Sequence, residues 1–96
     1  MIKHVILLSF ADPTDAPEAR ARLAALEASI PAIRSMEVAL PVQAPEGGPH
    51  LCLITTHDDL AGLQAYVEHP HHHDLVVDWL RPRLSGRAVC DYETSA

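Results

Sequence analysis

The sequence predicts an α+β domain, with one antiparallel sheet and helices over one of its faces. Three observations carry this. Strand-like and helical runs follow one another in the order β-α-β-β-α-α-β. Two of the strand-like runs are apolar on both faces, as strands are when both sides are covered. Prolines stand where the helical runs must stop.

Composition sets the outer bounds. The 96 residues suffice for one domain with a modest core. With 48% apolar and 21% charged residues, the chain is globular rather than disordered. A formal net charge of −6 and the lack of any basic run argue against nucleic acid or an anionic membrane surface as partner. No apolar run approaches the roughly 18 residues of a membrane span. No small-residue cleavage site follows the apolar start, so a cytoplasmic protein is the expectation. Cys52 and Cys90 do not make a disulfide framework. Both lie in apolar strand-like runs and are expected as buried free thiols.

Ile2 to Phe10 reads as the first strand, stopped by Asp12 and Pro13. A helix is expected from about Asp15 to Ser29, capped by Thr14 or Asp15, with Pro17 and Glu18 in its first turn. Ala19, Leu23, Leu26 and Ile30 form its apolar stripe, and Pro31 ends it. Ser35 to Val42 reads as a second strand, and Pro41 marks it as an edge. After the loop from Ala44 to Pro49, Leu51 to Thr56 forms a third strand, again apolar on both faces. Asp58 is the expected cap of a second helix bearing Leu60, Leu63, Tyr66 and Val67. Pro70 breaks that helix and opens a third, running to about Leu80. Arg87 to Glu93 closes the chain as a fourth strand.

This order is the split βαβ, or ferredoxin-like, arrangement, with strands 1 and 3 central. The helices cover one face only. Val5, Leu7, Cys52 and Ile54 would then form an apolar patch on the other, larger than a soluble monomer of this size leaves open. A homodimer with two sheets packed face to face, a dimeric α+β barrel, would cover it.

The segment from Tyr66 to Asp74 is where chemistry is expected. It holds four of the seven histidines, a tyrosine and Pro70. At 100° per residue, Leu75, Val76, Trp79 and Leu80 define a buried arc, and His72 falls near its middle. His71 lies on the polar side and His73 at the edge. In one continuous helix Tyr66 and His72 would be about 120° apart and roughly 9 Å along the axis. Pro70 redirects the chain, so the two can converge. His4 shares a face with Ile6 and Leu8. A pocket follows, walled by Ile6, Leu8, Leu53 and Trp79, with His4, Tyr66 and His72 as its polar groups. Imidazole moves protons near neutrality, and a tyrosine hydroxyl can donate to a developing oxyanion. Such a set suits proton abstraction beside a carbonyl.

His69, His71, His73 and Asp74 are metal-ligand types, and His69 and His73 have i, i+4 spacing. Pro70 disturbs the helix between them, so a solvated cluster is expected and no metal. No phosphate loop, nucleotide fingerprint or nucleophile elbow is present, and no cofactor is expected.

Four segments together resemble the stress-responsive A/B barrel domain (Dabb) family: Ile2-Lys3-His4-Val5, Ile30-Pro31-Ala32-Ile33, Tyr66-Val67-Glu68-His69-Pro70-His71-His72 and Asp91-Tyr92. The match covers nearly the whole chain, so residues 1–96 would form a single domain of this kind. The resemblance implies a dimeric barrel. Its members include plant stress proteins without a clear activity and the plant olivetolic acid cyclase, which closes a linear polyketide thioester by aldol condensation without a cofactor. That likeness implies Tyr66 and His72 as catalytic residues, His4 as a pocket histidine, and Ile6, Leu8 and Leu53 as walls. The cyclase lines its pocket with bulky aromatics from the first helix, where this chain offers Ala19 and Leu23, so Leu23 joins Ile6, Leu8, Leu53 and Trp79 as an expected substrate-binding wall. The expectation is a homodimer that binds a carbonyl-containing small molecule. His72 would be its general base or acid, Tyr66 would polarise the carbonyl, and His4 would orient them. Cyclase-like condensation, isomerase or lyase chemistry would follow. The alternatives are a non-catalytic stress-response or ligand-binding barrel and a cofactor-independent monooxygenase.

Overall fold

The computed structural model describes residues 1–94. β1 (Ile2–Phe10) lies inside the sheet, antiparallel to β3 (Leu51–His57) on one side and to β4 (Leu84–Glu93) on the other. β2 (Ser35–Ala39) completes a sheet of order β2-β3-β1-β4. The two strands with apolar residues on both faces are the central ones, as expected. Along β1, Ile2, His4, Leu8 and Phe10 are buried beneath the helices, while Lys3, Val5 and Leu7 on the opposite face are half-buried.

The first helical run is interrupted. α1 (Ala16–Ala24) and α2 (Leu26–Ser29) flank a break at Ala25, where one helix from Asp15 to Ser29 was expected. The apolar stripe still holds, because Ala19, Leu23, Leu26 and Ile30 are all buried. A 3₁₀ turn at Pro13–Asp15 precedes α1 and is capped by Asp12, whose carboxylate accepts the Thr14 backbone N–H at 3.0 Å and the Thr14 hydroxyl at 2.7 Å, while Asp15, one of the two expected caps, stands at the N-cap of α1 without a side-chain hydrogen bond. β2 ends at Ala39 rather than Val42, as Pro41 cannot donate to a ladder. The loop that follows is tied to β1. His50 N–H donates to the Leu8 carbonyl at 2.8 Å, and His50 Nδ1 accepts the Phe10 N–H at 2.9 Å. At Gly48, φ is +94°, and a Cβ there would collide with the Ser9 side chain.

α3 (Leu60–Glu68) is capped by Asp59, which accepts the Gly62 N–H at 2.8 Å. Asp58, the expected cap, instead receives two hydrogen bonds from the Arg34 guanidinium at 3.0 and 2.7 Å. His69 is extended, and Pro70 opens α4 (Pro70–Asp74) at its first position. The next turn, Leu75–Leu80, is π-helical instead of α-helical. A short 3₁₀ turn at Arg81–Arg83 then leads into β4, which starts three residues before the expected Arg87 because Leu84 pairs with Phe10.

The sheet face away from the helices is apolar, and neither helix nor loop closes over all of it. Val5, Leu7, Cys52 and Ile54 are half-buried there. The loop after β2 builds an apolar hollow of about 360 Å³ against Leu7 and Cys52, walled by Pro41, Val42 and Pro49. Cys52 and Cys90 are free thiols, but Cys90 is exposed, contrary to expectation. It stands opposite Val5 on the edge strand β4, where no described element covers it. Among the described residues, no helix is long and apolar enough to cross a membrane.

Candidate functional site

Tyr66 sits on the buried side of α3 and is 1% exposed. The bend at His69 and Pro70 turns α4 back over it, and the Tyr66 and His72 rings meet edge-on with centroids 4.6 Å apart. From β1, His4 stands 6.0 Å from Tyr66, also edge-on. Its Nδ1–H donates to the Asp91 carboxylate across the β1–β4 ladder, which fixes the ring.

A fourth ring, which the sequence expectations omit, completes the group. His57 ends β3, is fully buried, and lies 5.1 Å from Tyr66. The Ala32 carbonyl can only accept, so His57 Nδ1 carries the proton and donates to it at 2.8 Å. Nε2 then accepts the Thr55 hydroxyl at 2.9 Å. Both nitrogens are occupied, and this histidine braces Tyr66. The signal was available in strand parity, which puts His57 on the face of Thr55 and Leu53.

Burial holds the groups in defined protonation states. It raises the Tyr66 hydroxyl well above the usual tyrosine value, keeping it a hydrogen-bond donor. Burial also lowers His57 and His72 below the ordinary histidine value. For His57 the Ala32 carbonyl opposes this; for His72 the Val67 carbonyl does. The Val67 carbonyl does not reach His72 Nδ1 at hydrogen-bonding geometry, because that nitrogen is buried with no partner. A buried, neutral, unpartnered ring nitrogen beside a protonated phenol is a costly arrangement for a core to keep.

These groups open onto a cavity of about 110 Å³ between sheet and helices. His4, Tyr66 and His72 line it together with Ile6, Leu8, Leu23 and Leu53, all named from the sequence. Val67, Val76, Leu80, Leu84 and Arg87 also line it, and the sequence expectations did not include them in the pocket. Trp79 does not. The π-helical turn changes its phase, and its ring is sandwiched between the Arg22 and Arg83 guanidinium groups at 4.8 and 4.3 Å. It belongs to a separate, more open hollow of about 430 Å³ with Asp74 and Asp78. That hollow and the one beside Cys52 are larger, but neither holds a histidine or tyrosine.

The remaining histidines of the segment face outward. His69 Nδ1 accepts the His71 N–H at 3.1 Å, capping α4. His73 lies 3.4 Å from Asp74 on the surface. Among the described residues, no three His, Cys, Asp or Glu side chains are grouped as metal ligands.

Residues 2–94 match the family described as Stress Responsive A/B Barrel Domain (Dabb). The chain belongs to that family. No curated protein matches the sequence significantly. Among solved structures, this A/B barrel chain is similar to a dimeric protein of unknown function with ferredoxin-like fold from Bacteroides fragilis. The TM-score is 0.83 at 27% identity, over 97% of this chain and 95% of that one. A dimeric ferredoxin-like protein of unknown function from Thermobifida fusca gives 0.82 at 22%, over 97% and 90%. A hydroxynitrile lyase from Passiflora edulis gives 0.79 at 10%, over 99% and 94%. Likeness at these lower identities speaks for the fold alone.

Proposed function

We propose that this A/B barrel protein binds a carbonyl-containing small molecule in the cavity beside Tyr66 and His72 and catalyses proton transfer on it without a cofactor. The observation that supports this most is the buried, unpartnered Nδ1 of His72, packed against a tyrosine that burial keeps protonated. His72, neutral at neutral pH, takes a proton from the carbon next to the carbonyl. The Tyr66 hydroxyl donates to the carbonyl oxygen as it becomes an enolate. His4, held by Asp91, orients the bound molecule. The enolate carbon then attacks a second carbonyl in a cyclase-like condensation, or is reprotonated at a new position by the His72 imidazolium in an isomerisation. Lyase chemistry runs the bond-forming step backwards.

The protein acts as a homodimer in this proposal. The partly uncovered face with Val5, Leu7, Cys52 and Ile54 supports it, as do the dimeric proteins of similar fold. Two free thiols agree with a reducing, cytoplasmic setting. The decisive experiment is turnover of linear β-polyketide thioesters by the wild type and by His72→Ala. Loss of turnover in a variant that stays folded and dimeric supports the proposal. Equal turnover in both overturns it.

A second reading, a non-catalytic ligand-binding barrel, draws on the small size of the cavity and on the bracing role of His57. It predicts ligand binding with no turnover. Oxygen uptake with an oxidisable aromatic substrate would instead mark a cofactor-independent monooxygenase.

A further inference from the structure

Arg87 has no part in the proton-transfer reading, yet it lines the same cavity. Among the described residues it makes no hydrogen bond, ion pair or ring contact. Arg20 and Arg81 are likewise without a partner among the described residues, but neither lines the cavity. Arg34 pairs with Asp58, Arg22 with Glu18, and Arg83 bonds the Trp79 carbonyl. Arg87 is also the sole permanently charged side chain among the described residues around the cavity, whose other walls are mostly apolar.

Its position along the sheet gives the cavity a polarity. Arg87 stands opposite Leu8 and Asp91 stands opposite His4, so both β4 residues share the helix-side face. They lie four residue steps apart along the strand, about 13 Å. One end of the cavity therefore carries His4, Tyr66 and His72, and the other carries an unpaired guanidinium. We propose that Arg87 is a specificity-determining residue that receives a carboxylate at the end of the ligand remote from the reacting carbonyl. The ligand class is then an apolar acid whose carbonyl lies several bonds from its carboxylate. A guanidinium offers a planar pair of N–H donors that match a carboxylate, and an apolar surrounding strengthens that pairing. This rests on the cavity being a ligand site, as set out under Proposed function.

The test is a binding series with hexanoate and 3-phenylpropanoate against their neutral primary amides. Wild type and Arg87→Gln are titrated at pH 7.5, with the His72 and Tyr66 ring signals followed by NMR. Arg87 is exposed and unpaired, so the variant is expected to fold. The expected result is a carboxylate preference of tenfold or more in the wild type and its loss in Arg87→Gln, with amide binding unchanged. Equal binding of acid and amide by the wild type, or a preference that survives in the variant, overturns the role of Arg87 while leaving the pocket intact. If neither acid nor amide moves the His72 and Tyr66 signals, the ligand site itself is wrong and this proposal falls with it.

Discussion

His72 and its two neighbours in sequence, His71 and His73, share one residue type and two opposite fates. His72 is turned inward against Tyr66, with a buried nitrogen left unpartnered. His71 and His73 are exposed, and their nearest partners are a cap and a surface carboxylate. The helical rise rotates consecutive residues by 100°, so three identical side chains cannot share one environment. Identity of residue therefore says little about role; the phase set by Pro70 decides it.

The sharpest test of that contrast is on turnover. In the proposed reaction His72→Ala should cost roughly 10²- to 10⁴-fold, the usual range for a general acid or base. His71→Ala and His73→Ala should stay within about twofold in the same steady-state assay. Comparable losses in all three would erase the distinction. Tyr66→Phe should come next, with about a 10²-fold loss from the missing donor. Its melting temperature should barely move, since the ring stays packed against His57 and His4. Smaller in free energy is His57→Gln. It disturbs the hydrogen bonds to Ala32 and Thr55 and should destabilise by about 1–3 kcal/mol in denaturant titrations.

Acidity should act on stability through His57 and His72. His57 and His72 lie below the ordinary value of 6.5 in the folded chain, so the unfolded chain binds protons that the folded chain refuses. Stability is then complete above about pH 6.5 and is lost as pH falls through the depressed folded values. Melting temperatures measured from pH 8 to 5 should stay flat and then decline, and the decline should shrink in His57→Gln. Removing both His71 and His73 should shift stability by less than about 0.5 kcal/mol, as surface changes do.

Much of this was legible in the residues. The two-sided apolarity of Ile2–Phe10 and Leu51–His57 put those strands in the centre, and Pro41 marked β2 as an edge. The phase of His72, the break at Pro70 and the walls at Ile6, Leu8, Leu23 and Leu53 followed from spacing alone or from likeness to a known family. What escaped depends on tertiary context. Asp58 and Asp59 are both good caps, and only the partner Arg34, twenty-four residues earlier, draws Asp58 away. His57 lay one residue beyond the expected strand end and gained its role from an Ala32 carbonyl outside that strand. Cys90 and Arg87 lie on an edge strand, where apolar neighbours in sequence do not guarantee cover.

The turn at Leu75–Leu80 has a consequence for how the fold can diverge. A π-helical turn holds one residue more than the α-helical turn it replaces. Loss of a single residue there would relax it to ordinary helix without disturbing the strands on either side. The same loss would swing Trp79 away from its two arginines and towards the cavity. One deletion in this segment would thus exchange an open cavity for one plugged by an indole, with Tyr66 and His72 left in place.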